Sequence, residues 1–277
     1  MSRVFLPMNL LSAIIDQKQR RVETAKGLVS PDAVRLIAQQ VRDTASPHAL
    51  AKALTAVDES RNNIIAEFKR RSPSRGEIRS DADPAHIAKA YESAGAAAVS
   101  VLTEEDYFDG SLDDLRAIRR AISLPLLRKD FIFEEYQVYE SAAAGADALL
   151  LIVAVLNDET LGRLRRITEE ELGMDALIEV HTREEMERAA HKGAHLIGVN
   201  NRDLGTLAVS LATSAQLAPI ANDKAVLISE SGIASAEDIH RLRNLGYRGF
   251  LIGESLMRAD DPQQALRGFT QRRYIAR

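Results

Sequence analysis

The sequence contains no cysteine, and this absence excludes several kinds of chemistry together. Disulfide bonds, thiolate nucleophiles and cysteine-ligated metal sites all require that residue. The six histidines are scattered and show no repeated spacing of the kind that metal ligands have. We therefore expect no metal site and no cysteine-based catalytic mechanism.

Long apolar runs and a strong charge of one sign are also absent. No apolar run approaches the roughly 18 residues that a membrane-spanning helix needs. The stretch from Met1 to Leu11 carries Pro7 and lacks the long apolar core of a secretory signal. A net charge of −4 gives no reason to expect nucleic acid or an anionic membrane as partner. These observations favour a soluble cytoplasmic protein.

The chain is long and apolar enough to bury a large core. Its 277 residues, 45% of them apolar, allow either one large barrel or two ordinary domains. Beyond residue 63, short apolar runs alternate with helical segments. The runs are Ile64–Phe68, Ala97–Leu102, Pro125–Lys129, Ala148–Val153, Ala176–Val180, His195–Asn200, Ala225–Ser229 and Phe250–Gly253. Because they are apolar throughout rather than alternating, they favour parallel strands buried on both faces.

Helix start and stop signals lie between these runs. Asp83 and Pro84 predict an N-cap followed by a first-turn proline, with Gly95 ending that helix. Thr182 and Glu185 predict a capping box. Alternating strands and helices predict a parallel sheet, and eight such units favour closure into an α/β fold, a (β/α)8 TIM barrel. An open doubly wound sheet is the alternative, yet the glycine-rich turn typical of its first strand is missing.

Residues 1–60 differ from the rest of the chain. They carry helix signals, such as Pro31 and Ser46–Pro47, and no strand signal. No flexible linker separates them from Ile64. We expect one domain over residues 1–277, in which residues 1–60 form a helical extension packed on the barrel.

Ionisable and amide side chains stand at the ends of five predicted strands, where barrels of this type have their active sites. They are Glu67 and Lys69, Lys129, Glu179, Asn200, and Glu230. Taken singly, each has a structural alternative: a salt bridge between Glu67 and Lys69, a turn capped by Asn200, or an arginine partner for Glu230. Lysines and carboxylates that converge in a barrel mouth shift one another's pKa values, which acid–base chemistry requires.

Glycine-containing turns follow the last two strands. Ser231-Gly232-Ile233 follows strand seven, and Gly253-Glu254-Ser255 follows strand eight. Ordinary turns use the same residues, but loops at these two places, leading into a helix N-terminus, are the usual phosphate site of such barrels. We therefore expect a small phosphorylated substrate. The Glu254 side chain should point away from the anion, because two negative charges repel each other.

Several longer segments resemble the signature motifs of the indole-3-glycerol phosphate synthase family, and the resemblance covers essentially the whole chain. They are Ile65–Ser74 (IAEFKRRSPS), Leu127–Phe131 (LRKDF), Gly198–Leu204 (GVNNRDL) and Ser229–Ile233 (SESGI). The resemblance implies a barrel with N-terminal helices over its mouth. It also implies a carboxy-lyase of tryptophan biosynthesis that uses no metal and no organic cofactor. The reaction would convert 1-(2-carboxyphenylamino)-1-deoxyribulose 5-phosphate into indole-3-glycerol phosphate, carbon dioxide and water.

The resemblance further implies roles for individual residues. Lys129 would be the general acid at the substrate ketone, a role that suits a lysine if neighbouring positive charge and burial lower its pKa. Lys69 would contact the substrate, Glu179 would transfer protons during dehydration, and Glu67 would support the lysines. The implied substrate-binding residues are Asn200, Arg202, Ser231, Ser72 and Phe131, and the implied phosphate-binding residues are Gly232, Gly253, Glu254 and Ser255.

Two other functions stay open at this point. A Schiff-base aldolase acting on a sugar phosphate would use Lys129 or Lys69 as its nucleophile. A non-catalytic barrel would bind a phosphorylated ligand without turnover. The isomerase of the same pathway has a similar barrel but uses a cysteine, which this chain lacks. As to assembly, we expect a monomer or a weak homo-oligomer.

Overall fold

The computed structural model describes residues 9–56, 58 and 60–271, and within them eight parallel strands close into a barrel. The strands are β1 (Asn63–Phe68), β2 (Ala98–Leu102), β3 (Leu126–Lys129), β4 (Ala148–Ile152), β5 (Asp175–Val180), β6 (Leu196–Asn200), β7 (Val226–Glu230) and β8 (Gly249–Ile252). Each pairs with the next along the chain, and β8 pairs with β1. The predicted TIM barrel is confirmed, and each predicted strand end lies within one residue of the observed one.

Helices precede the first strand and separate the others. They are α1 (Asn9–Leu28), α2 (Pro31–Arg42), α3 (Ala49–Thr55), α4 (Pro84–Ala94), α5 (Leu112–Ala121), α6 (Glu135–Ala143), α7 (Asp158–Arg166), α8 (Arg183–His191), α9 (Ala212–Leu217), α10 (Ala236–Asn244), α11 (Glu254–Met257) and α12 (Pro262–Thr270). Helices α1 to α3 confirm the predicted N-terminal helical extension. That prediction also covered residues 1–8, 57 and 59, which lie outside the described residues. None of the described helices is long and apolar enough to cross a membrane.

One short element was not predicted. Arg71–Ser72 and Gly76–Glu77 pair as a two-residue antiparallel hairpin in the loop between β1 and α4. Strands this short carry no hydrophobic period, so the sequence pattern does not reveal them. Gly76 adopts a φ of 67°, which an L-amino acid with a side chain rarely takes.

The predicted helix caps are present, with one difference. The Asp83 carboxylate accepts the backbone N–H of His86 at 2.9 Å, as an N-cap of α4 should. At α8 the Thr182 hydroxyl accepts the Glu185 N–H, but the Glu185 carboxylate accepts the N–H of His181 rather than that of Thr182. The reciprocal half of the capping box is therefore shifted by one residue onto His181.

Every second residue of the strands fills the interior of the barrel. The apolar interior residues are Ile65, Ala98, Leu127, Ala148, Leu150, Ile152, Leu177, Leu196, Ile228 and Leu251, joined by Leu50 and Leu54 of α3. Leu54 lies beside Gly249 at the start of β8, so α3 closes the N-terminal end of the barrel. At this closed end Asp175 and Asn63 are bonded to α3, since Asp175 accepts the Ala51 N–H and Asn63 donates to the Leu54 carbonyl oxygen.

Helix α1 is attached to loops at the C-terminal end of the barrel by buried charge. Lys18 Nζ lies 2.6 Å from a carboxylate oxygen of Glu105, after β2, and 2.8 Å from one of Asp130, directly after β3. Asp130 also accepts hydrogen bonds from Arg128 and from the Thr103 hydroxyl. Because Lys18 and Asp130 are both 2% exposed, removing either would leave the other's charge poorly compensated.

We expect Lys18→Met to lower the free energy of unfolding by about 3 kcal/mol, because Asp130 loses a buried counter-charge. Arg20→Met, on the exposed face of the same helix, is the matched control and should change stability little. Urea unfolding at neutral pH measures both variants. Equal losses in the two would contradict a stabilising role for the buried pair.

The same pair predicts a pH dependence. Burial alone would raise the pKa of Asp130, but the charges of Lys18 and Arg128 lower it to about 2 from an ordinary value of 3.8. The stabilisation is therefore fully present above that ordinary value and is lost as the pH falls toward 2. Lys18→Met should lose less stability than the wild type over this range.

Candidate active site

Four ionisable side chains line the mouth of the barrel, each two residues beyond an apolar interior residue. The pairs are Ile65 and Glu67 in β1, Leu127 and Lys129 in β3, Leu177 and Glu179 in β5, and Ile228 and Glu230 in β7. Side chains alternate between the two faces of a strand, so a strand that points its apolar residue inward points the next but one inward too. Because they come from alternate strands, the four side chains form one layer.

Lys129 stands among these carboxylates. Its Nζ lies 3.2 Å from Glu179 Oε2 and donates a hydrogen bond to Glu230 Oε2. Lys69 Nζ lies 2.5 Å from Glu67 Oε1, so the salt bridge expected as one alternative is present. The Lys129 side chain is 14% exposed, and the three carboxylate side chains are 4% exposed or less. The mouth thus holds two ammonium groups and three carboxylates in a space that water hardly reaches.

Two glycines make room for the carboxylates. A Cβ at Gly198 would collide with the Glu230 carboxylate, and a Cβ at Gly253 would collide with the Glu67 side chain. Neither glycine has the positive φ that would require it for backbone reasons. Gly253, which the sequence motif assigned to phosphate binding, therefore has a packing role as well.

The pKa values of Glu179 and Glu230 are shifted in opposite directions. Burial raises the pKa of each, but the charges of Lys129 and His181 outweigh it for Glu179, whose pKa falls below its ordinary value. For Glu230, burial together with the Glu179 charge outweighs Lys129, and its pKa is raised above 4.5. Glu230 Oε1 has no hydrogen-bond partner among the described residues, so nothing there stabilises a negative charge on that oxygen.

The pKa of Lys129 itself moves in the direction opposite to that considered from the sequence. Burial opposes the charged form, but the carboxylates of Glu230, Glu179 and Glu67 raise the pKa above its ordinary value. Positive neighbours do not lower it, because the groups nearest to the ammonium are negative. Lys129 is therefore protonated at neutral pH.

His181 extends this cluster outward from the end of β5. Its Nε2 lies 3.3 Å from Glu179 Oε1, an ion-pair contact rather than an aligned hydrogen bond. Its Nδ1 lies 3.2 Å from a carboxylate oxygen of Glu185 in α8. Burial opposes charging of the ring, but these two carboxylates raise the pKa of His181 to about 10. The imidazole is therefore a cation at neutral pH.

Asparagines organise the loop after β6. Asn200 Oδ1 accepts the backbone N–H of Arg202 at 3.0 Å, which is the turn-capping alternative expected from the sequence. The sequence assigned no role to Asn201. Its side-chain amide donates to the Ser229 hydroxyl and to the backbone carbonyl oxygens of Glu230 and Ser231. Asn201 thereby ties this loop to the end of β7, where Ser231 stands.

The loops after β7 and β8 differ in their relation to a helix. Ser231 and Gly232 both adopt left-handed conformations, with φ values of 64° and 80°, and α10 begins only at Ala236. Helix α11 begins directly after Gly253, and its first turn, which includes the exposed Ser255, presents N–H groups without partners inside the helix. Only the second loop leads straight into a helix.

Glu254 faces cations. Its carboxylate oxygens lie 3.0 Å from Arg75 Nε, 3.5 Å from Arg258 Nε and 4.0 Å from Arg202 Nη2. Three guanidinium groups around one carboxylate leave this edge of the mouth with net positive charge. An anion placed there is attracted rather than repelled, which removes the difficulty that Glu254 posed in the sequence.

The two remaining expected residues lie at other parts of the rim. Phe131 follows β3 and packs against the interior apolar residues, with its ring centroid 6.4 Å from that of Phe108. The buried Ser72 belongs to the hairpin after β1, where its hydroxyl lies 3.4 Å from that of Ser74. Phe131 thus offers an apolar wall, and Ser72 a hydroxyl group.

One group of carboxylates among the described residues has the spacing of metal ligands. Glu104, Glu105 and Asp106 place their ligand atoms within 4.8 Å of one another. Each already has a partner, since Glu105 pairs with Lys18, Asp106 pairs with Arg21, and Glu104 accepts backbone N–H groups of the same loop. Two of these contacts, those of Lys18 and Arg21, attach α1 to the loop after β2, and this attachment explains why the carboxylates lie together.

Glu230 and His181 are the site residues that the sequence left without a role. The arginine partner considered for Glu230 is wrong, because the structure pairs this carboxylate with Lys129. Glu230 lies two residues beyond the inward-facing Ile228, just as Glu179 lies two residues beyond Leu177. The alternation of side chains along a strand could therefore have predicted its place in the mouth. No local signal marks His181, whose partners are fixed only when β5 and α8 pack together.

We expect the carboxyl carbons of Glu179 and Glu230 to titrate on opposite sides of the ordinary value of 4.5, with Glu230 the higher. Carbon-13 NMR of glutamate-labelled protein measures both, with assignment by Glu179→Gln and Glu230→Gln. In Lys129→Met both midpoints should rise, because both groups lose their shared counter-charge. Coincident midpoints, or Glu179 above Glu230, would contradict the division described here.

Comparisons with known proteins show the family to which this sequence is similar. The family model for indole-3-glycerol phosphate synthase matches residues 11–269. The synthase of that name from Carboxydothermus hydrogenoformans is 46% identical over 258 residues, which cover 92% of this chain and 97% of the relative. The one from Mycolicibacterium gilvum is 53% identical over 203 residues, or 73% and 74% of the two chains.

A solved structure with a different function has the same fold. The 3-hexulose-6-phosphate synthase from Salmonella typhimurium superimposes with a TM-score of 0.59 at 13% identity, over 75% of this chain and 96% of that one. At this identity the likeness concerns the barrel alone. The family model and the full-length relatives decide the matter: the chain belongs to the indole-3-glycerol phosphate synthase family.

Proposed function

We propose that the mouth of this barrel converts 1-(2-carboxyphenylamino)-1-deoxyribulose 5-phosphate into indole-3-glycerol phosphate, carbon dioxide and water by lysine and glutamate acid–base catalysis. Family membership confirms the class of enzyme expected from the sequence, a carboxy-lyase of tryptophan biosynthesis that acts on a small phosphorylated substrate. The observation that supports this use of residues is Lys129, held between Glu179 and Glu230 where water hardly reaches.

Lys129 serves as the acid of ring closure in this proposal. The aromatic carbon that bears the carboxylate attacks the ketone carbon, and the carbonyl oxygen takes a proton from the ammonium group. An alkoxide would be costly in a dry pocket, so a donor held in place lowers the barrier. Because Lys129 is protonated at neutral pH, it has that proton to give. Carbon dioxide then leaves, and its bonding electrons restore the aromatic ring.

The two carboxyl groups with opposite pKa shifts suit the dehydration step. Loss of water needs a base that removes a ring proton and an acid that protonates the leaving hydroxyl group. Glu179, whose pKa is lowered, supplies the base, and Glu230, whose pKa is raised, supplies the acid. Environments that separate the pKa values of paired groups are the pattern from which such roles are assigned.

Lys69 and Glu67 complete the charged layer. Lys69 contacts the substrate and stabilises developing negative charge, while Glu67 holds Lys69 through the salt bridge at 2.5 Å. Glu67 also contributes to the charge around Lys129. The two lysines thus face the reacting atoms from β1 and β3.

The substrate lies across the mouth with its phosphate at β7 and β8. Two observations support this orientation. The loops after β7 and β8 are the usual phosphate site of such barrels, and the arginines around Glu254 make this edge of the mouth positive. The residues proposed to bind phosphate are Gly232, Gly253, Glu254 and Ser255, with Glu254 acting through its backbone N–H. The residues proposed to hold the rest of the substrate are Asn200, Arg202, Ser231, Ser72 and Phe131.

The positive charge of Lys129 argues against the Schiff-base aldolase. A lysine attacks a carbonyl carbon only as the free amine, and three carboxylates keep this one protonated. A non-catalytic binding barrel would gain nothing from burying lysines and carboxylates together, since burial of charge is unfavourable. Both alternatives are tested by the assay described below.

Further proposals follow from the family and the composition. The chain acts as one domain over residues 1–277, with its helical extension covering part of the mouth, and needs no metal or organic cofactor. We propose a cytoplasmic enzyme, present as a monomer or weak homo-oligomer, without a nucleic-acid or membrane partner. A chain without cysteine and with balanced charge suits each of these statements.

The proposed activity is tested by incubating the protein with the carboxyphenylamino-deoxyribulose phosphate and following indole fluorescence. Lys129→Ala should lower kcat by roughly 10²-fold or more, the usual loss for a general acid, while Lys52→Ala, remote from the mouth in α3, should leave it unchanged. Inorganic phosphate should compete with the substrate. A folded wild-type protein that forms no indole would refute the function, and trapping of a lysine adduct with borohydride would favour the aldolase.

We expect Glu179→Gln to depress kcat by roughly 10²-fold or more and to leave KM within a few-fold, because a proton carrier adds little to ground-state binding. Glutamine keeps the shape of the side chain but cannot take a proton. A ring-closed species that has not lost water should accumulate if the earlier steps still run. Rapid quenching and chromatography detect it, and near-normal turnover would reduce Glu179 to a charge partner of Lys129.

A further inference from the structure

His181 is a buried cation in the mouth for which the proposed reaction has no use. Its side chain is 9% exposed and lies between two carboxylates, Glu179 of β5 and Glu185 of α8. A further charged group, Asp203 of the loop after β6, interacts electrostatically with His181. A histidine held in this way is positioned by its surroundings rather than free to exchange partners.

The start of α8 is built around His181. In a capping box the side chain of the third helical residue, here Glu185, usually binds the backbone N–H of the cap residue, here Thr182. Glu185 instead accepts the backbone N–H of His181 at 2.7 Å and contacts its ring nitrogen at 3.2 Å. Backbone and ring of His181 are thus fixed by one carboxylate, which leaves Nε2 directed at Glu179.

His181 also explains why two similar carboxylates behave differently. Glu179 and Glu230 are both buried, and both contact the single ammonium group of Lys129. Only Glu179 has a second cation beside it, 3.3 Å away on its other oxygen. The corresponding oxygen of Glu230 has no hydrogen-bond partner among the described residues. The asymmetry of the pair therefore originates at His181.

We propose that His181 is a positioning residue, which fixes the Glu179 carboxylate and keeps it in its ionised, proton-accepting form. It acts through Glu179 and does not touch the substrate, and its effect on turnover rests on the proposed function of the mouth. Glu185, at the start of α8, in turn keeps His181 in its charged form. Glu185, His181 and Glu179 therefore form a chain of ion-pair contacts.

The first test does not depend on activity. In His181→Asn, the midpoint of the Glu179 carboxyl group in carbon-13 NMR should move to higher pH, because a favourable charge is lost. His191→Asn, which removes an exposed histidine at the far end of α8, is the matched control and should leave the midpoint unchanged. An unchanged midpoint in His181→Asn would overturn the proposal, whether or not the protein proves to be a synthase.

The second test is the pH profile of kcat. A reaction that needs ionised Glu179 fails as the pH falls through the pKa of that group, so His181→Asn should shift this acidic limb to higher pH. We expect roughly a 10-fold loss of kcat below the shifted limb, recovery above it, and a KM within a few-fold of the wild type. A loss of the same size at every pH would indicate a merely structural role and refute the proposal.

A milder variant guards against misfolding of His181→Asn. Glu185→Gln keeps an oxygen that can accept the His181 N–H but removes the charge that favours the imidazolium ion. It should shift the acidic limb in the same direction by a smaller amount. Thermal unfolding of each variant separates loss of fold from loss of the base, and a limb that does not move in folded Glu185→Gln would contradict the linkage.

Discussion

The charge of Lys129 is the interaction on which the rest of the mouth depends. A buried ammonium or carboxylate group is costly unless it is paired, so each charge in the layer requires a partner of opposite sign. The cations are Lys129, Lys69 and His181, and the carboxyl groups are Glu67, Glu179, Glu185 and Glu230. Three cations balance three carboxylates, and the fourth carboxyl group is neutral when it carries a proton. Glu230 is the one most readily protonated, because burial and the Glu179 charge raise its pKa and Lys129 is the one cation paired with it among the described residues.

Strand β3 connects this layer to the helices outside the barrel. Lys129 points inward, while its neighbours Arg128 and Asp130 point outward because side chains alternate along a strand. Arg128 binds Asp130 and Glu140 of α6, each at 2.9 Å, and Asp130 binds Lys18 of α1. The N-terminal helix and the central ammonium group are therefore held by two successive residues, Lys129 at the end of β3 and Asp130 directly after it.

Local features of the sequence were sufficient for the barrel and for most of the layer. Continuous apolar runs located the strands, and their C-terminal ends located Glu67, Lys129, Glu179 and Glu230 at the mouth of the barrel. The contact partners of these side chains could not be predicted in this way. Lys129 meets Glu179 and Glu230, which are 50 and 101 residues further along the chain, and only closure of the barrel brings them together. For the same reason the direction of the Lys129 pKa shift could not be read from its neighbours in sequence, which are basic and acidic by turns.

A raised pKa does not make Lys129 unfit as an acid, because its partners differ between the resting site and the transition state. Before reaction its ammonium group is shared between two carboxyl groups. Since Glu230 tends to be protonated, it competes weakly for the ammonium group once a stronger base is near. The developing alkoxide is such a base, and it can displace Glu230 at Lys129 without leaving a bare carboxylate behind. In the proposed reaction, Glu230 would then give its proton to the oxygen that leaves as water. The charge balance of the resting site thus prepares both proton transfers, and stabilisation that grows only as the alkoxide forms lowers the barrier rather than merely tightening binding.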